Sequence, residues 1–240
     1  MIVSNTRIND FIDSLQIRVP PKERFLELSK KTAIYPDSPT SYIQNYERGI
    51  LLYCLVAKNR PKAVLEIGTA QGFSSLCMAW AMVDYDIPGR IFTIDPNNAE
   101  IKLDIAEAAW VEKIEPISGY AGEVMSSHSF PKIDFAYIDG WHIYEAVRHD
   151  FFATLNSAAE NFDVVFDDYF ETTPIDGVKK FVDGFLAKNL DVLVIESNYR
   201  EQMRELTNEP GLSHFLCYLH VNRAKINAVI SEDEIKRILD

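Results

Sequence analysis

The sequence predicts an α/β fold: a doubly wound sheet of seven strands, the last antiparallel, over residues 61–240, preceded by a helical cap over residues 1–60. Three observations carry that expectation. From Pro61 onward, short β-branched runs alternate with segments of helical length, the signature of βαβ units and a mostly parallel sheet. The last such run, Phe215–Val221, follows Glu196 too soon for a long crossover helix, so it is expected to run antiparallel. Before Pro61 there is no such alternation, and the segments read as helices.

Taken in chain order, Arg7–Leu15, Pro21–Lys31 and the longer Ser41–Asn59 are expected helices. Pro36 and Pro39 separate the last two, and Pro39 suits a first helical turn. Strands are expected at Ala63–Ile67, Arg90–Ile94, Ile114–Ser118, Ile133–Ile138, Asp163–Phe166, Asp191–Glu196 and Phe215–Val221. Helices fall between them at Phe73–Val83, Ala99–Val111, Ile143–Ala159 and Ile175–Lys188. At the end of the chain Ser231 is placed to cap a short helix, with Glu234 as its capping-box partner.

Composition narrows the function classes. The formal net charge is −12, which argues against a nucleic-acid partner, since such proteins carry a basic footprint. The excess is uneven: residues 1–60 sum to +3 and residues 61–240 to −15, so the two parts attract each other. The longest apolar run, Gly49 to Ala57, is too short to span a bilayer, which needs roughly 20 residues, so no membrane is expected. Three dispersed cysteines offer neither a zinc motif nor a disulfide framework and suit the cytoplasm. The N-terminal sixty residues are expected either to cap a site or to form the interface of a homo-oligomer.

In doubly wound sheets ligands bind outside the carboxyl ends of the strands. Here the first five strands end in Glu66-Ile-Gly68-Thr-Ala-Gln-Gly72, in Asp95-Pro96, in Ser118-Gly119-Tyr120-Ala121, in Asp139-Gly-Trp141-His142 and in Asp167-Asp168-Tyr169. Gly68 and Gly72 flank a strand-to-helix turn, where glycine permits positive φ or a close backbone approach. Asp95 closes the next strand, where a carboxylate can accept from two ribose hydroxyls. A dehydrogenase fingerprint is absent, because Ala70 stands at its second glycine, and Glu66 would repel a pyrophosphate. A cationic nucleoside ligand suits the turn better.

The stretch VLEIGTAQGFSSL resembles the first motif of class I S-adenosylmethionine-dependent methyltransferases, in particular the small O-methyltransferases with the pattern E-I-G-x-x-x-G-[FY]-S. The resemblance, over about residues 61–170, implies a Rossmann-like methyltransferase sheet. It implies that Glu66, Gly68, Thr69, Gly72 and Ser74 line the methionine end of the cofactor, that Asp95 holds the ribose, and that Gly119, Tyr120 and Ala121 pass beside the adenine, with Asp139 also at the cofactor.

Asp139 and the pair Asp167-Asp168 lie 28 residues apart at the ends of two strands expected to be neighbours. Three carboxylates so gathered call for a cation, and hard oxygen donors favour Mg²⁺ or Ca²⁺. Consecutive strand residues point to opposite faces, so both aspartates can face one ion only if the chain has left the strand at Asp168. His142, three residues past Asp139, titrates near neutrality and can take a proton from a hydroxyl. His149 reads as an exposed helical residue. The Asp139-x-x-His142 plus Asp167-Asp168 constellation resembles the metal-dependent sugar O-methyltransferases of the macrocin type, which implies that the three aspartates hold magnesium and that His142 is the general base. The sequence departs from the family's DGDHSYE by reading DGWHIYE, and lacks its Pro-Gly-Gly turn before the fifth strand. Trp141 and Tyr169 either stack on a substrate ring or pack beneath a loop.

The expected activity is a metal-assisted methyl transfer from S-adenosylmethionine to a hydroxyl of a small molecule, a sugar or glycoside by the resemblance. One rival is an NAD-dependent reductase, against which stands the lack of a Tyr-x-x-x-Lys, since Arg148 follows Tyr144 at that spacing. The other is a non-catalytic S-adenosylmethionine-binding protein, which only turnover separates.

Overall fold

A computed structural model describes residues 3–34, 43–97, 101–169, 176–207 and 213–239. Pro36 and Pro39, and the expected helix starts Ser41, Ala99 and Ile175, lie outside those residues. The strands are β1 Val3–Arg7, β2 Ala63–Ile67, β3 Arg90–Asp95, β4 Ile114–Ser118, β5 Ile133–Ile138, β6 Ala158–Phe166, β7 Val192–Glu196 and β8 Phe215–Asn222. They form one sheet in the order β1-β7-β8-β6-β5-β2-β3-β4. β8 runs antiparallel between β6 and β7, and the other pairs are parallel.

All seven expected strands are present, and the last is antiparallel as expected. The correction is β1, which makes eight strands and means that residues 1–60 are not wholly helical. Its sequence, VSNTR, is polar and mostly exposed at the sheet edge, so it carries no alternating apolar signal.

The helices are α1 Ile8–Leu15, α2 Lys22–Lys31, α3 Tyr46–Asn59, α4 Phe73–Asp84, α5 Ala108–Val111, α6 Ala121–Ser127, α7 Tyr144–Ser157, α8 Gly177–Phe181, α9 Ala187–Asn189, α10 Tyr199–Thr207, α11 Arg223–Asn227 and α12 Glu232–Leu239. A π-helical turn, Val182–Leu186, joins α8 to α9. The single helix expected over Ala99–Val111 is instead a 3-10 turn at Leu103–Ile105 followed by the one-turn α5. Tertiary contacts override the local pattern there: the Lys102 N–H donates to the Gln71 carbonyl oxygen at 3.2 Å, and Ile101 lies against Gly72. At α12 the Glu234 N–H donates to Ser231 Oγ at 3.2 Å, the expected cap.

Both faces of the sheet are covered, and alternate residues of each strand serve opposite faces. Val64, Phe135, Tyr137 and Val165 pack toward Ile8, Leu51, Leu55, Cys77 and Trp80 of the N-terminal helices and α4. Leu65, Ala136, Val164 and Leu219 pack toward Phe151, Phe152 and Phe181 on the other side. This period of two decides where the strand-end acids go. Asp139 continues the row Phe135, Tyr137, and Asp167 continues from Val165, so both emerge on the side of α3. That helix starts at Asn45, whose Oδ1 accepts from the N–H groups of Glu47 and Arg48 at 3.1 and 3.4 Å.

Candidate active site

From β2 the chain runs outward one way through β3 to β4 and the other way through β5 to β6, so the switch point lies between β2 and β5. A cavity of about 710 Å³ opens at these strand ends, with Gly68, Asp95, Gly119, Tyr120, Ala121 and Asp139 in its wall. The turn after β2 is laid against the end of β3: the N–H groups of Thr69 and Ala70 each donate to Asp95 Oδ2 at 3.0 Å. The Asn97 N–H donates to Asp95 Oδ1 at 2.7 Å. A carboxylate has about four acceptor sites, so Asp95 keeps about one for a ligand, not the expected two.

Among the described residues the cavity wall does not include Glu66, Thr69, Gly72 or Ser74, which departs from the expectation that they line a ligand. Glu66 is wholly buried and accepts from the hydroxyls of Ser74 and Ser75 in the first turn of α4. Burial pushes its pKa up to about 7 against the pull of those hydroxyls. Its visible work is to lock β2 to α4. Thr69 pairs with Thr93 through their hydroxyls, and Gly72, at φ +87, opens α4.

The acids Asp139, Asp167 and Asp168 do come together, and Asp168 has left the strand, with φ +53 turning it back toward its neighbours. His142 Nε2 lies 3.1 Å from Asp168 Oδ2 and 3.5 Å from Asp139 Oδ1. Burial opposes a charge on His142, but the contact with Asp139 and the charge of Asp168 override it and lift its pKa to about 9. Burial and the charges of Asp167 and Asp139 push Asp168 up to about 7.

Three cationic or donor groups that sequence reasoning missed enter this cluster. Arg48 Nη1, from α3, binds Asp167 Oδ2 and lies 3.2 Å from Asp139 Oδ2, while its Nη2 binds Gln44 Oε1. His214, just before β8, places Nε2 2.7 Å from Asp167 Oδ1. The Tyr137 hydroxyl is shared between Asp167 Oδ2 at 2.7 Å and Asp139 Oδ2 at 3.0 Å. Asn45 Nδ2 donates to His214 Nδ1 at 2.9 Å, so Nδ1 is the acceptor and Nε2 carries the proton toward Asp167. Burial opposes the charge on Asp167, but Arg48 and the bonds from His214 and Tyr137 hold its carboxyl well below the usual range.

The family model described as "Methyltransferase domain" matches residues 65–169, which span β2 to the end of the Asp pair. Those residues are thus similar to a methyltransferase domain. Among solved structures, the O-methyltransferase TomG of Streptomyces achromogenes, in complex with SAM, is 18% identical with a TM-score of 0.61, covering 88% of this chain and 95% of that one. The Bacillus cereus O-methyltransferase, in complex with SAH, is 15% identical with a TM-score of 0.58, covering 88% and 96%. The SAH-bound methyltransferase PaMTH1 of Podospora anserina is 15% identical with a TM-score of 0.56, covering 88% and 92%. A search of curated proteins found no match to the chain.

The expected magnesium triad of Asp139, Asp167 and Asp168 does not fit the donor chemistry. Asp167 accepts from Arg48, Tyr137 and the Asp168 N–H, His214 Nε2 stands 2.7 Å from its Oδ1 as a fourth close partner, and none of its side chain is exposed. The ligand atoms still grouped and open are those of Asp139, His142 and Asp168. His149, expected on an exposed helix face, lines the switch-point cavity, with Nδ1 3.6 Å from Oδ1 of the buried Asp150. Tyr169 is buried, its hydroxyl donating to Asp183 Oδ1 at 2.7 Å, whereas Trp141 is 73% exposed at the cavity rim. Arg48 and His214 lacked any sequence signal, since they reach Asp167 across 119 residues and from a separate strand approach.

Proposed function

We propose that this chain is a methyltransferase that moves a methyl group from S-adenosylmethionine to a hydroxyl oxygen of a small molecule, a sugar or glycoside by the resemblance of its Asp139-x-x-His142 and Asp167-Asp168 motifs. The observation that carries the reading is the switch-point cavity, whose wall holds the strand-end carboxylates Asp95 and Asp139, with Glu123 and Asp150 beside them, for a cationic nucleoside. About 710 Å³ lies within the usual range for cofactor sites, roughly 300–1,000 Å³. When bound, S-adenosylmethionine supplies an electrophilic methyl on a sulfonium sulfur.

The chain's own residues then have distinct tasks. Asp95 and the Gly119–Ala121 segment orient the nucleoside, and Tyr120 and Trp141 offer exposed rings at the rim. Asp139 belongs to both the cavity wall and the acid cluster, so it ties donor to acceptor. His142 takes the acceptor's proton as the oxygen–carbon bond forms and the sulfur–carbon bond breaks, its electron pair staying on sulfur. Holding both partners in contact lowers the barrier further. The divalent ion expected from sequence is not carried into this reading, because Arg48 already engages two of its three ligands.

We also place the cofactor domain at residues 61–240, with the first sixty residues completing its site, in the cytoplasm, where three unpaired buried cysteines are stable. No helix among the described residues is long and apolar enough to cross a membrane. Titration calorimetry tests the donor: S-adenosylmethionine and S-adenosylhomocysteine should each bind at one per chain, and Asp95→Ala should weaken both. Binding of NADH with no response to either sulfur compound would end the proposal, and binding without turnover on any hydroxylated acceptor would favour the non-catalytic reading.

A further inference from the structure

We infer that the resident cation of the acid cluster is the guanidinium of Arg48, and that the cluster excludes a divalent metal ion. Two strand ends gather Asp139, Asp167 and Asp168, and such a group is costly to bury without positive charge. The structure supplies that charge from α3. Arg48 Nη1 stands between Asp167 Oδ2 and Asp139 Oδ2, the two oxygens that the period of β5 and β6 aims to the α3 side. A guanidinium is permanently charged and planar, so it can serve two carboxylates at once in a way that a lone ammonium cannot.

Arg48 is also held from behind. It is 5% exposed, Gln44 binds its other terminal nitrogen, and it sits in the first turn of α3, whose cap Asn45 is bonded to Ser197 and His214. An ion at the expected triad would need a lone pair of Asp167, which has none to spare, and would face the guanidinium at short range. What remains open, one oxygen each from Asp139 and Asp168 beside the His142 imidazole, is a poor set for magnesium, which prefers oxygen donors and retained water. Arg48 thus acts as a positioning residue: it fixes Asp139, and through Asp139 the ring of His142.

The cluster's choice of cation does not depend on the methyl-transfer reading; only the activity arm of the test rests on it. Mn²⁺ serves as the probe, titrated into the full chain and followed by the electron paramagnetic resonance of the free ion. Wild type is expected to show no site tighter than about millimolar. Arg48→Met, checked for folding by circular dichroism, is expected to gain a site about tenfold tighter or more, because three carboxylates then lose their counter-charge. If Arg48→Met fails to fold, the wild-type titration decides alone. In parallel, formation of S-adenosylhomocysteine should proceed at full rate in excess chelator. One Mn²⁺ per wild-type chain at micromolar affinity, or a folded Arg48→Met protein without a new site, would overturn the inference. Loss of turnover in chelator that Mg²⁺ restores would overturn it as well, whereas an absence of turnover under every condition strikes the proposed function and leaves the Mn²⁺ result to judge the cation.

Discussion

His142→Ala is expected to lower kcat by about 10²–10⁴, the usual contribution of a general base, while leaving S-adenosylmethionine affinity close to wild type. The imidazole lies beside the cluster, not in the wall of the cofactor cavity, so its loss should spare donor binding. The pH profile makes the assignment sharper. With a pKa of about 9 in the free protein, the ring is charged at neutral pH and cannot accept a proton. Activity should therefore rise with pH, log kcat/KM climbing about one unit per pH unit and levelling near pH 9. In His142→Ala that limb should vanish. A wild-type profile that is flat from neutrality to pH 9, or an alanine variant of full activity, would remove His142 from the chemistry.

Gly68→Ala should be the most damaging small substitution in the cofactor turn. Gly68 has φ +94, and a Cβ there would lie 2.0 Å from the carbonyl oxygen of Asp139. Neither backbone can yield easily: the Gly68 N–H donates to the Ile94 carbonyl oxygen at 2.9 Å, and the Asp139 N–H to that of Ile67 at 2.8 Å. A loss of roughly 3–5 kcal/mol is expected, from positive φ plus a backbone clash. Cofactor affinity should fall with it, because the two strand ends forming the cavity are forced apart. Gly184→Ala is the control: it lies in a helical turn with nothing within 4 Å of its added methyl. That change should leave stability unaltered or raise it by about 0.4–1 kcal/mol. Equal melting temperatures for the two variants would refute the close-approach argument.

What the sequence makes legible here follows from the range of the interaction that each feature depends on. β2, β3, β5 and the end of β6 show as apolar runs because burial on both faces demands it, and the positive φ of Gly68 and Gly72 shows as glycine. The convergence of Asp139 with Asp167 and Asp168 is legible too, being a consequence of adjacent parallel strands ending together. The nature of the compensating charge is not. Arg48 reads as one more polar residue at the start of an apolar helix, and only the packing of α3 against the sheet turns it inward. Charge counting alone identifies the need for a cation but not whether an ion or a side chain meets it. His149 fails for a similar reason, since its inward turn depends on the approach of Gly122 from α6, not on its own helix.

The edge strand β1 has a consequence for how the molecule is made. Val3 pairs with Val192, so β1, once synthesised, has no partner until 189 further residues have been added. At about 5–20 residues per second that wait lasts roughly 10–40 s. Contacts so distant along the chain also form slowly for entropic reasons. An apolar segment left exposed for so long would invite pairing with other nascent chains. Ser4, Asn5, Thr6 and Arg7 make this one hydrophilic, and its neighbour in the finished sheet closes over it only when the rest of the domain stands ready. Vectorial synthesis thus sets a solubility demand on β1 that the final structure, taken by itself, would not impose.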